Sequence, residues 1–157
     1  MQRLPINIAN MDPVDAALLP VIRHHLAALQ GENPLAWRQA FAIAEQRWGE
    51  GRGLALAHRS QVFLSALLSC RNVPIRCIDP LNIDERHTLT EDEQLIMNAV
   101  SAMRSDDAPQ ARQLIALLTG GRLTAVIVQA GLSLAVLLET PKTTVRRPDA
   151  PKLRAVS

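Results

Sequence analysis

"TAVIVQAGLSLAVLLET", Thr124 to Thr140, is the most apolar stretch of the chain, and three roles suit such a segment: crossing a membrane, holding DNA or filling a protein core. A spanning helix needs about 20 apolar residues, because the hydrocarbon layer is about 30 Å thick and a helix rises about 1.5 Å per residue. Leu123 to Leu138 supplies 16, interrupted by Gln129 and Ser133 and flanked by Arg122 and Glu139. The basic residues beyond it are the flank an anchor carries, but the run is too short to be a transmembrane span. A helix-turn-helix with Gly131 at the turn would make Ser133 to Glu139 the recognition helix and turn leucines toward the bases. Leucine offers neither donor nor acceptor to a base edge.

The core role remains. A helix apolar on nearly every side belongs among other helices. Its eight Val, Leu and Ile residues between Val126 and Leu138 would contribute on the order of 10 to 20 kcal/mol if all were buried, before entropy is subtracted. Gly131 would admit a close neighbour.

The rest of the chain reads as the neighbours. Its 157 residues suit one domain, and with two Trp, two Phe and no Tyr the core must come from Leu, Ala, Val and Ile. Richness in Ala and Leu favours helices over sheets. Asp12-Pro13 is a cap followed by a first-turn proline, and Val14, Leu18, Val21, Ile22, His25, Leu26 and Leu29 recur at three- and four-residue steps. Pro20 inside this pattern predicts a kink or two short helices. Asn33-Pro34 repeats the start signal, and Trp37, Phe41, Ala44 and Trp48 mark one face of a second helix. A third helix is expected from about Leu54 to Cys70, with Leu56, Phe63, Leu64, Leu67 and Leu68 inward.

Pro74 and Pro80 break "NVPIRCIDPLNIDERH", which reads as an extended connector with room for a short strand at Ile75 to Ile78. Thr90 with Glu93 forms a capping box, with Thr88 and Glu91 as a second register, so a helix starts near Glu91. Asp107 starts another, and Gly120-Gly121 stops it. The fold predicted is therefore all-α: a single-domain bundle of about six helices around the apolar C-terminal helix. Residues 1–11 are expected to be an extended segment, 12–140 the helical domain and 141–157 a flexible basic tail.

That tail holds five of the 17 basic residues and one of the 15 acids, which leaves the remainder of the chain slightly negative against a net charge of +2. Arg146, Arg147, Lys152 and Arg154 are its candidate interaction residues, an electrostatic arm for nucleic acid, an anionic surface or an acidic partner. "MQRLPINIANMDPVDAALLP" has no uninterrupted apolar run after Arg3, so no secretory signal is read and a cytoplasmic location is expected. Two cysteines there remain thiols.

Groups able to carry chemistry are sparse. Cys70 and Cys77, with His58 and His87, are the nearest approach to a metal set, but zinc sites favour closely spaced pairs and six residues separate these cysteines. His24 and His25 are adjacent, so their rings diverge on a helix, and His25 lies on the apolar stripe as a hydrogen-bonded core or interface histidine. Gly49, Gly51 and Gly53 around Arg52 follow a helix rather than a strand and lack the ending of a phosphate-binding loop. The acids Glu91, Asp92 and Glu93 suit a helix's first turn. Ser60, Ser65 and Ser69 have no nucleophile context.

No catalytic centre or cofactor is expected. The leading expectation is a non-enzymatic protein–protein interaction module, regulatory or an assembly factor, that meets another protein or a second copy of itself. The alternative is a small ligand- or metal-binding or catalytic helical domain that uses His58, Cys70, Cys77 and His87 around the connector.

Overall fold

A computed structural model describes residues 8–138. After a 3-10 turn at Ile8–Asn10 come six α-helices among the described residues: α1 (Pro13–Leu29), α2 (Trp37–Trp48), α3 (Glu50–Ser69), α4 (Glu91–Arg104), α5 (Ala108–Thr119) and α6 (Ala125–Leu138). The all-α bundle read from the sequence is thus present. None of these helices is long and apolar enough to cross a membrane.

The helix starts follow local chemistry. The Asp12 side chain accepts from the Val14 N–H ahead of Pro13, and α1 continues through Pro20 as one helix. Thr90 accepts from Glu93 N while the Glu93 side chain accepts from Thr90 N, which is the reciprocal capping box. Asp107 caps α5, and Gly120 ends it in the left-handed conformation at φ 64°. The helix expected from Leu54 begins earlier, at Glu50, because one residue, Gly49 at φ 85°, makes the whole turn from α2. Gly51 and Gly53 lie within α3.

Gly53 sets the spacing of α2 on α3. A Cβ there would stand 2.3 Å from the Ala44 carbonyl oxygen and 2.7 Å from the Glu45 Cα. At this separation only small residues fit between the helices, and Ala40 and Ala44 are the residues of α2 that are buried. The aromatics that share one face of this helix stand at the margin of the core. Trp37 is exposed, while Phe41 and Trp48 are half-buried, with Phe41 meeting Trp37 and His25 edge-on at 5.9 and 5.8 Å.

α3 lies at the middle of the bundle. It packs against α1 and α2 on one side and α6 on the other, and α6 in turn meets α4, which pairs with α5. Phe63, Leu56, Leu64 and Leu67 of α3 are fully buried, together with Leu18, Ile22 and Leu26 of α1 and Ile96 of α4.

The connector from Cys70 to Thr90 forms no strand at Ile75 to Ile78. Side chains take the ladder's place. The Gln30 amide accepts from Ile75 N at 2.7 Å and donates to Ile75 O at 3.0 Å; Asp92 accepts from Arg76 N, Glu93 from Ile78 N, and Thr90 donates to Arg76 O. Buried backbone polar groups need partners, and here α1 and the first turn of α4 supply them.

Candidate interaction surface

α6 carries two arcs of different fate. Ile127, Ala130, Gly131, Leu134, Ala135 and Leu138 face the bundle and are buried. The other arc is open: Val126 is 67% exposed, Leu132 50% and Val136 60%, with Leu123 just ahead of the helix at 40%. Total enclosure, expected from the apolar run, therefore holds for one face. Three of its eight Val, Leu and Ile residues are buried, which contributes on the order of 5 to 9 kcal/mol.

The buried arc is held closely. Gly131 faces Met103 of α4 and Phe63 of α3, where a Cβ would stand 2.5 Å from the Met103 sulfur and 3.3 Å from Phe63. The close approach read from this glycine is real. Two arginines of α3 tie down the far end of α6: Arg59 Nη1 donates to Ser133 O at 2.7 Å, and Arg52 Nε donates to Leu137 O at 2.8 Å. Guanidinium groups at the carbonyl end also suit the helix dipole. At the other end Thr124 Oγ1 accepts from Ile127 N. With α6 continuous through Gly131, no helix-turn-helix break occurs there.

Beside the open arc runs a groove of about 670 Å³. Leu123, Val128, Leu132 and Val136 give it an apolar floor, with Gln129 and Ser133 among them. Arg59 of α3 and Arg112 of α5 are its charged members, and no carboxylate lines it among the described residues. Exposed apolar residues elsewhere are scattered over Leu35, α2 (Trp37), α3 (Leu54, Val62), α5 (Leu117) and the connector (Val73, Leu81, Ile83). Large apolar side chains exposed together on one helix, here around Gln129 and Ser133, are a surface feature that marks an interaction site.

The other candidate residues do not gather. His58 is exposed on α3, Cys70 half-buried at its end, Cys77 half-buried in the connector, and His87 exposed beside Arg86, whose Nε donates to its Nε2 at 3.2 Å. Among the described residues no three His, Cys, Asp or Glu side chains are placed to hold a metal ion. Burial, reinforced by the negative charges of Glu93 and Glu32, pushes the Cys77 thiol up to about 12, so it stays protonated and a poor nucleophile. Arg146, Arg147, Lys152 and Arg154 lie outside the described residues.

One polar centre has no counterpart in the sequence reading. Arg23 of α1 and Glu93 of α4, 4% and 0% exposed, form a two-point ion pair with Nε–Oε1 2.8 Å and Nη2–Oε2 3.1 Å. Arg23 also donates to the carbonyls of Arg86 and Thr88, and Glu93 also accepts from the N–H groups of Ile78 and Thr90. Each carboxylate oxygen thus takes two bonds. The centre is saturated by its own chain, and its work is to hold the connector against α1 and α4.

The histidine pair gives the fold a pH dependence. His25 Nε2 donates to Ala57 O at 2.8 Å, which leaves Nδ1 buried without a partner. Burial is the main cause that pushes its pKa down to about 4; the Ala57 bond opposes and the neighbouring His24 assists. Burial lowers His24 as well, against the pull of Asp79. With the folded value below the usual 6.5, the unfolded chain binds more protons between about pH 6.5 and about pH 4. Stability should therefore fall as pH is lowered through that window. Asp15, whose pKa burial raises, acts in the opposite sense at the acid end. Urea midpoints at pH 7, 5.5 and 4.5 check the slope, which His25→Leu should flatten.

Comparison with known proteins finds no match: no family model fits the chain, and neither a curated protein nor a solved structure resembles it significantly.

Proposed function

We propose that the protein is a protein–protein interaction module of regulatory or assembly type, which engages its partner through the open arc of α6. The observation that supports this reading is the row of Val126, Leu132 and Val136, large apolar side chains left exposed on a helix whose opposite arc fills the core. Leaving such residues in water forgoes roughly 1.5 to 3 kcal/mol each, a stabilisation that a partner's surface would recover. The chemistry-bearing side chains offer no comparable concentration. The Glu93 carboxylate is fully engaged within the chain, and His58, Cys70, Cys77 and His87 stand apart.

A photo-crosslinking residue placed at position 136 in the cell should yield an adduct of one defined size, whether with another protein or a second copy. The same residue at the exposed Gln46 of α2 should not. Combining Leu132→Asp with Val136→Asp should leave thermal stability within about 0.5 kcal/mol of the parent, as exposed substitutions do. It should also abolish the complex in sedimentation, and Leu132→Asp alone should weaken the adduct formed from position 136. Adducts of equal yield from both positions, or a complex that survives the double substitution, would count against the reading.

A further inference from the structure

Resting on the reading of α6 as an interaction surface, we infer that the occupant of its groove is an amphipathic helix of another protein, with an apolar stripe flanked by acidic residues. Three observations select it. Backbone donors and acceptors at the site are engaged in helices, and no strand edge exists among the described residues, so a partner cannot add itself as a β-strand. It must bind by its side chains, and an open, elongated groove along a 14-residue helix, about 21 Å long, matches the apolar face of a second helix.

Charge then distinguishes among helices. Arg59 and Arg112 come from different elements, α3 and α5, and both line this groove. No carboxylate of the described residues forms an ion pair with either one. A second copy seated face to face would bring two more guanidinium groups and no described acid into the same space. The chain's own residues 142–157 are also predominantly basic. Carboxylates flanking an apolar stripe answer both the floor and the arginines, whereas like charges directly opposed are rejected.

The test uses the full chain and two labelled designed peptides of 18 residues. One has Leu at i, i+3, i+4 and i+7 with flanking Glu, and its twin has Lys for every Glu. Fluorescence anisotropy at low salt should show the Glu peptide binding at least about tenfold more tightly than its twin, since two attractions between carboxylate and guanidinium in one complex become two repulsions in the other. Salt should erode the difference. Arg112→Glu, an exposed substitution, should remove or invert the preference, and Val136→Asp should abolish binding of both peptides.

Equal affinity for the twins would overturn the acidic-helix inference while leaving the interaction surface intact. So would binding to vesicles of phosphatidylglycerol and phosphatidylcholine with neither peptide bound, which would assign the face to a membrane surface. A dimer in sedimentation, dissolved by Val136→Asp and indifferent to both peptides, would assign the groove to a second copy. No binding of any of these probes by a monomeric chain would also reject the inference. Failure of the underlying reading is seen separately, as crosslinks from position 136 that Leu132→Asp does not change.

Discussion

Glu93→Ala is expected to cost about 3 to 5 kcal/mol of stability, the range found when one partner of a buried ion pair is removed. The reason is what remains. Arg23, 4% exposed, would keep its charge with only the Arg86 and Thr88 carbonyls for company, and the N–H groups of Ile78 and Thr90 would lose their acceptor. The neighbouring Glu91 is exposed, so Glu91→Ala should shift stability by no more than about 0.5 kcal/mol. Urea denaturation of the two variants makes the comparison. Replacing both partners by apolar residues, as Arg23→Met with Glu93→Leu, often restores stability at buried pairs. Here recovery should be incomplete, because Glu93 also serves the connector's backbone. Amide exchange at Ile78 and Thr90 should quicken in every variant that lacks the carboxylate.

Gly53→Ala is expected to cost about 2 to 3 kcal/mol by urea or thermal denaturation, even though alanine is the better helix former by about 1 kcal/mol. The added methyl would meet backbone, the Ala44 carbonyl at 2.3 Å, and the only relief is to move α2 away from α3. Gly131→Ala provides the contrast. Its nearest obstacle is the end of the Met103 side chain, which can swing aside, so the helix-propensity gain should largely offset the crowding. A Gly53→Ala variant as stable as the parent would mean that α2 and α3 are not in such close contact.

The parts of the fold that local chemistry decides were legible in the sequence. The Thr90–Glu93 box, the Asp107 start and the Gly120-Gly121 stop are each written within a few residues. What depended on distant partners was hidden. Arg23 and Glu93 are 70 positions apart, and the glutamate's capping role already accounted for its presence, so nothing advertised a second one. Trp37 looked like a core residue because helical periodicity says which residues share a face and not how near the next helix comes. Gly53, which the expected start near Leu54 left outside the third helix, is what sets that distance. The open arc of α6 was obscured for a similar reason. Gln129 and Ser133 are the only polar residues on that side, too few for periodicity to separate it clearly from the wholly apolar arc opposite. Only the positions of α3, α4 and α5 reveal which arc is covered.

Thiol footprinting compares the two arcs of α6 directly. Val136→Cys and Leu134→Cys, each combined with Cys70→Ser, can be alkylated in the purified chain and in intact cells, with the native Cys77 a slow background because its thiol stays protonated. The thiol at 136 should react quickly in the purified protein and be protected in the cell, while that at 134 should react slowly in both. If the thiol at 136 reacts equally fast in both settings, or that at 134 as fast as its neighbour, α6 does not divide into a core face and a binding face.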